Sequence, residues 1–116
     1  MIGIIYNSKK EKKICEDYEY AIKKIGSHRA KKLAMLIGAI ECSIDPSDIA
    51  GLPQFRMHKL KGDKKECYSF SIDKKFRVEF YPLDENKNDL KSGMNEKEMF
   101  TKAKYIKILR ITNHYE

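Results

Sequence analysis

The chain has 116 residues, enough for one compact core but not for two, so a single domain spanning residues 1–116 is expected. Lys and Arg number 24 against 17 Asp and Glu, a formal charge of +7. So basic a chain points to an anionic partner, nucleic acid first and an acidic protein or membrane surface behind it, although surplus lysine also serves solubility alone.

Ile2 to Tyr6 is apolar for only five residues before the lysines begin. That is too short for a signal peptide or a membrane span, so a cytoplasmic protein with no membrane partner is expected. The β-branched Ile2, Ile4 and Ile5 ahead of Asn7-Ser8 predict a first strand. Ser8 with Glu11 three residues on fits a capping box and predicts a helix start. Its apolar positions Ile14, Tyr18, Ile22 and Ile25 run to Gly26, which suits a helix end. Ser27 can cap a second helix with Ala30, Leu33, Ala34, Ile37, Ile40 and Ile44 along one face. Asp45-Pro46 offers one short helical turn that Gly51-Leu52-Pro53 ends.

From Phe55 the apolar period becomes two. Tyr68, Phe70 and Ile72 alternate with Ser69 and Ser71; after a turn at Asp73-Lys74, Phe76, Val78 and Phe80 alternate with Arg77, Glu79 and Tyr81. This predicts an antiparallel hairpin with one face on the core and one open. Residues 84–101 lose periodicity and read as a long loop, in which Asn95 and Glu98 could cap one helical turn. Tyr105 to Thr112 returns to strand composition. The order β-α-α-β-β-β gives an α+β domain: two N-terminal helices packed on one face of a small, twisted, mainly antiparallel sheet.

The three cysteines, Cys15, Cys42 and Cys67, are odd in number and contain no Cys-x-x-Cys pair. This argues against a disulfide framework and a closed zinc site and for a reducing compartment. Each has apolar neighbours and reads as a buried small hydrophobe. No carboxylate or histidine cluster has metal spacing, so neither metal nor other cofactor is expected.

The predicted open face carries Ser69, Ser71, Arg77, Glu79 and Tyr81, flanked by a loop with Arg56, His58, Lys59, Lys61, Lys64 and Lys65. Cleaving RNA with its own 2′-hydroxyl needs a proton acceptor, cations on the phosphate and a donor for the leaving oxygen. Arg77 suits the phosphate, because the planar guanidinium binds two oxygens and keeps its charge. His58 is the natural proton acceptor, with a reference pKa of about 6.5. Lys61 is a second cation, and His114 or Tyr115 could donate to the leaving group. Arg56, Lys59, Lys64 and Lys65 are the candidate RNA-binding cations. Each has a plainer explanation: a lone histidine is commonly structural, exposed lysines only attract phosphate over a Debye length of about 8 Å, and a pair with an acid would account for Arg77.

The segment His58-Lys59-Leu60-Lys61-Gly62-Asp63-Lys64-Lys65, followed by an aromatic strand, a turn and Phe76-Arg77-Val78-Glu79-Phe80, resembles the HigB-like, plasmid-maintenance killer branch of the RelE/ParE toxin superfamily. Asn7-Ser8-Lys9-Lys10, Ala30-Lys31-Lys32-Leu33 and the closing isoleucine-rich strand extend the resemblance over nearly the whole chain. It implies a RelE-like fold and a toxin that cleaves mRNA on the ribosome, neutralised by a helix-turn-helix, HigA-like antitoxin. His58 and Lys61 match the family's loop His and Lys, and Arg77 its strand arginine. The family's closing Asp-Tyr-His is replaced by Asn113-His114-Tyr115. The place of the final histidine falls to Tyr115, or, with the register slipped by one, to His114. Two other classes stay open: a ParE-like toxin that poisons gyrase, and an inactive, antitoxin-bound co-repressor.

Overall fold

The computed structural model describes residues 2–43, 48, 55–59, 67–88, 90 and 96–113. Among these residues five strands form one sheet in the order β1-β5-β4-β3-β2, with β1 at Gly3–Tyr6, β2 at His58–Lys59, β3 at Tyr68–Ser71, β4 at Phe76–Leu83 and β5 at Tyr105–Asn113. β1 runs parallel to β5, and the other neighbours are antiparallel. The first strand therefore pairs with the last, and the sheet is mainly antiparallel as expected.

Among the described residues, the stretch expected to hold two helices holds three: α1 at Lys9–Glu16, α2 at Tyr18–Ile25 and α3 at Ser27–Cys42. The expected first helix breaks at Asp17, whose backbone is extended (φ −112°, ψ 100°) and whose carboxylate accepts from the Tyr20 N–H at 3.0 Å. An aspartate that caps the following turn competes with continuation of the helix through it. The break shifts the phase of the buried face. Ile14 and Ala21 are buried, whereas Tyr18 and Ile22, expected on that face, are exposed.

α1 begins after Ser8 as expected, but Ser8 Oγ donates to the Glu11 carboxylate instead of capping a backbone N–H. Gly26 (φ +88°) ends α2, where its N–H reaches the Ile22 carbonyl at 2.9 Å, and is also the N-cap of α3. Ser27 is thus the first helical residue and not the cap. On α3, Ala30, Leu33, Ile37 and Ile40 are buried as expected; Leu36 joins them, while Ala34 is exposed. Ile44, the Asp45-Pro46 turn and Gly51-Leu52-Pro53 lie outside the described residues.

α1 and α3 pack on β1, and α1 also meets β5. Residues 84–101 contain more order than their composition predicts. α4, at Glu96–Lys102, places Met99 and Phe100 in the core; Asn95, its expected cap, lies outside the described residues. The Phe100 ring meets Tyr68 edge-on at 4.9 Å, and Phe70 stacks on Phe80 at 4.3 Å, so the core face of β3–β4 is an aromatic layer.

The Asp73-Lys74 turn forms as expected, because Asp73 accepts the Lys75 and Phe76 N–H groups, each at 2.8 Å. Arg29 of α3 bonds the same carboxylate at 2.5 Å and stacks over Phe76 at 4.0 Å, tying the helix to the hairpin. Burial alone would raise the Asp73 carboxyl; the Arg29 hydrogen bond, the two backbone N–H groups and the Arg29 charge outweigh it and hold the group at about 2. The cysteines divide: Cys67 is buried and Cys15 half-buried, but Cys42, expected inside, is exposed. All three are free thiols.

Candidate functional site: an arginine pair on a buried glutamate

The β3–β4 alternation sends Tyr68, Phe70, Val78 and Phe80 inward and brings Ser69, Ser71, Arg77 and Glu79 to the opposite face. That face is less open than the pattern predicts. Ser69 is fully buried and Glu79 only 1% exposed, while Ser71, Arg77 and Tyr81 are half-buried.

β5 explains the cover on Glu79. Its register with β4 shifts between Glu79 and Phe80: Glu79 faces Arg110, Phe80 faces Ile108, and Leu109 is the extra residue. A bulge of this kind reverses the side-chain phase. Arg110 and Thr112 therefore share the outer face with Glu79 and Arg77, while Ile106 and Ile108, of the same parity, are buried.

Glu79 is the hub of the resulting cluster. Arg77 donates to Glu79 Oε2 from Nε at 2.9 Å and from Nη2 at 2.8 Å. Arg110 Nε lies 3.0 Å from Glu79 Oε1. The arginine side chains keep 25% and 52% of their surface exposed, so two solvent-facing guanidiniums are anchored on one buried carboxylate. Two positive charges against one negative leave the cluster net positive. Each guanidinium has five N–H donors, so donors remain on both for an incoming anion.

The sheet register relates the other candidates to this cluster. His58 pairs with Ser69, and Ser69 with Glu79, so one cross-strand row runs His58–Ser69–Glu79–Arg110. At about 4.8 Å per strand, the His58 backbone is roughly 10 Å from that of Glu79. The next row is Ser71–Arg77–Thr112. Arg56 adjoins that row, because the carbonyl of its neighbour Phe55 accepts from the Ser71 N–H at 2.6 Å. Arg56 is exposed and holds a positive φ of 42°, a conformation that costs a non-glycine residue energy and is concentrated at functional sites. Lys59 is not brought to the cluster: it is exposed, and its pairing with Tyr68 puts it on the alternate register. Lys61, Lys64, Lys65, His114 and Tyr115 lie outside the described residues. Among the described residues no group of three or more His, Cys, Asp or Glu is arranged to hold a metal ion.

Arg110 and the anchoring role of Glu79 were missed in the sequence. The one available signal was a lone arginine inside the apolar run Ile106-Lys107-Ile108-Leu109-Arg110-Ile111.

Residues 7–92 match the family described as the RelE-like toxin of the type II toxin-antitoxin system HigB. The chain belongs to this family of toxins, whose systems pair a toxin with an antitoxin. The matched span contains Arg77 and Glu79 and stops before β5 and Arg110. Among solved structures, the fold is similar to a YoeB/ParE toxin from Agrobacterium tumefaciens, at 16% identity and TM-score 0.55, covering 98% of this chain and 100% of that one. It is also similar to chains in the YoeB-YefM complex from Staphylococcus aureus (22%, 0.54, 99% and 99%) and the E. coli DinJ-YafQ complex (16%, 0.56, 99% and 96%). No curated protein sequence matched the chain. Among the described residues no helix is long and apolar enough to cross a membrane.

Proposed function

We propose that this toxin is a ribosome-dependent mRNA endonuclease of the cytoplasm, held inactive by a helix-turn-helix, HigA-like antitoxin, and that its single domain spans residues 1–116. The observation that carries this reading is the Arg77–Glu79–Arg110 cluster: two guanidiniums preset on a buried carboxylate suit a phosphodiester on which charge builds during cleavage. The substrate's 2′-oxygen attacks the adjacent phosphorus, the bond to the 5′-oxygen breaks, and a 2′,3′-cyclic phosphate and a 5′-hydroxyl result. His58 takes the 2′ proton, Arg77 and Lys61 stabilise the phosphorane charge, and His114 or Tyr115 protonates the leaving 5′-oxygen. Arg56, Lys64 and Lys65 supply the field that gathers the RNA backbone, with Lys59 contributing only from the alternate register.

A poison that binds a protein target needs no anchored guanidinium pair, which favours the nuclease over the gyrase-directed alternative. Inducing the toxin and mapping the 5′ ends of cellular mRNAs tests the reading. New ends within translated codons support it; intact mRNA with DNA breaks would replace it with gyrase poisoning.

A further inference from the structure

Below the arginine cluster, the outer face of the sheet opens into a groove of about 470 Å³ lined by Ile5, Tyr81, Leu83, Lys87, Asn88 and Lys107. Its size is within the roughly 300–1,000 Å³ of small-molecule clefts. The register builds it: Tyr81 pairs with Lys107, which pairs with Ile5 across β1. Tyr81 is two residues along β4 from Glu79, so the groove begins about 7 Å from the cluster on the same face.

One wall is held firmly. In the turn after β4, Asp84 accepts from the Asn86 N–H at 2.8 Å and the Asn88 N–H at 3.0 Å. Backbone bonds from Asp84 N to Asn88 O at 2.9 Å and from Lys87 N to Asp84 O at 3.0 Å close it. Lys87 itself has a φ of 65°, a left-handed conformation on a non-glycine residue, and its ammonium sits over the Tyr105 ring at 5.3 Å.

We propose that this groove is a nucleotide subsite, which holds the base and phosphate of an RNA residue flanking the scissile bond. Tyr81 and the apolar Ile5 offer a surface for a base over the buried Leu83, Lys87 and Lys107 offer cations for its phosphate, and the Asn88 carboxamide can bond a base edge. An aromatic ring beside two lysines, on the same face as the arginine cluster and about 7 Å from it, fits a nucleotide better than an acidic peptide, which would need the lysines alone. The proposal rests on the nuclease reading, since that reading brings RNA to this face.

The test measures binding of a fluorescent single-stranded oligoribonucleotide to the full chain by anisotropy over a range of salt. Lys87→Ala with Lys107→Ala should weaken binding about tenfold and lower the salt slope by roughly two. Removing the same charge at the exposed Lys10 and Lys31 should do much less. Tyr81→Ala should weaken binding about tenfold while Tyr81→Phe, which keeps the ring, binds as the parent does. On programmed ribosomes the groove variants should raise KM with little change in kcat. Binding unchanged by the paired lysine substitutions, or a loss of antitoxin affinity with RNA affinity intact, overturns the subsite. Absence of mRNA cleavage by the parent protein would remove the nuclease reading and still leave the binding comparison decisive for the groove.

Discussion

Arg77 meets Glu79 two residues away on the same strand through two N–H groups on one carboxylate oxygen, at 2.9 and 2.8 Å, and the carboxylate is 1% exposed. Residues i and i+2 of a strand share a face, so alternation alone brings the pair together. What it does not provide is a counter-charge for the second oxygen. The β5 bulge does, by setting Arg110 on Glu79 Oε1.

Glu79 should therefore matter more to stability than either arginine. Glu79→Ala leaves two guanidiniums without their shared counter-charge over a void, and because both still reach solvent the cost should be about 2–3 kcal/mol. Arg110 is half-exposed and Arg77 still holds Oε2, so Arg110→Ala, which strips the counter-charge from Oε1 alone, should cost less, about 1 kcal/mol. Urea denaturation measures both, and equal costs would show that Glu79 is not the hub.

Acid should weaken the tie between α3 and the hairpin. The folded Asp73 carboxyl, at about 2, lies below its ordinary 3.8, so folding favours the ionised form. This contribution is complete above pH 4 and is lost as the pH falls towards 2. Asp73→Asn should lower Tm at neutral pH, with the gap from the parent closing between pH 4 and pH 2. A gap that is constant with pH contradicts the Arg29–Asp73 account.

The thiols should separate by reactivity. Cys42 is exposed and should alkylate quickly at neutral pH. Burial, reinforced by the charges of Glu11 and Glu16 against an opposing hydrogen bond with Tyr6, pushes the Cys15 thiol up to about 12. Cys67 is fully buried. Mass spectrometry of the native protein should find one fast site, Cys42, and Cys42→Ser should leave growth arrest unchanged.

Gly3 is needed for close packing. A Cβ there would stand 2.6 and 2.7 Å from Cδ1 and Cε1 of Tyr105, the ring beneath Lys87. Gly3→Ala should force that ring aside and cost about 1–3 kcal/mol. An unchanged Tm would mean the ring moves freely.

What was legible in the sequence were the features encoded locally. The β3–β4 alternation, the Asp73 turn, the Ser8 helix start and the Gly26 break need only neighbouring residues, and all of them hold. The break at Asp17 is also local, but Ile14, Tyr18 and Ile22 keep helical spacing through it, and that pattern hides the capping aspartate. The pairing of β1 with β5 joins strands about a hundred residues apart in sequence, and the bulge at Leu109 depends on how β5 meets β4 across the intervening loop and helix. Nothing in the isoleucine-rich β5 shows which residue will be the extra one. Arg77 could thus be placed on the correct face from sequence, whereas its charge partners could not be completed.

Cleavage of ribosome-bound mRNA by purified Arg77→Ala protein is the most direct measurement of the central claim. Arg110 keeps its ion pair with Glu79 Oε1, so the variant should stay folded and antitoxin-binding. Loss of a cation that stabilises charge in the transition state should slow cleavage about a hundredfold, roughly 3 kcal/mol. A folded Arg77→Ala protein that cuts mRNA on ribosomes at the parental rate would contradict the account.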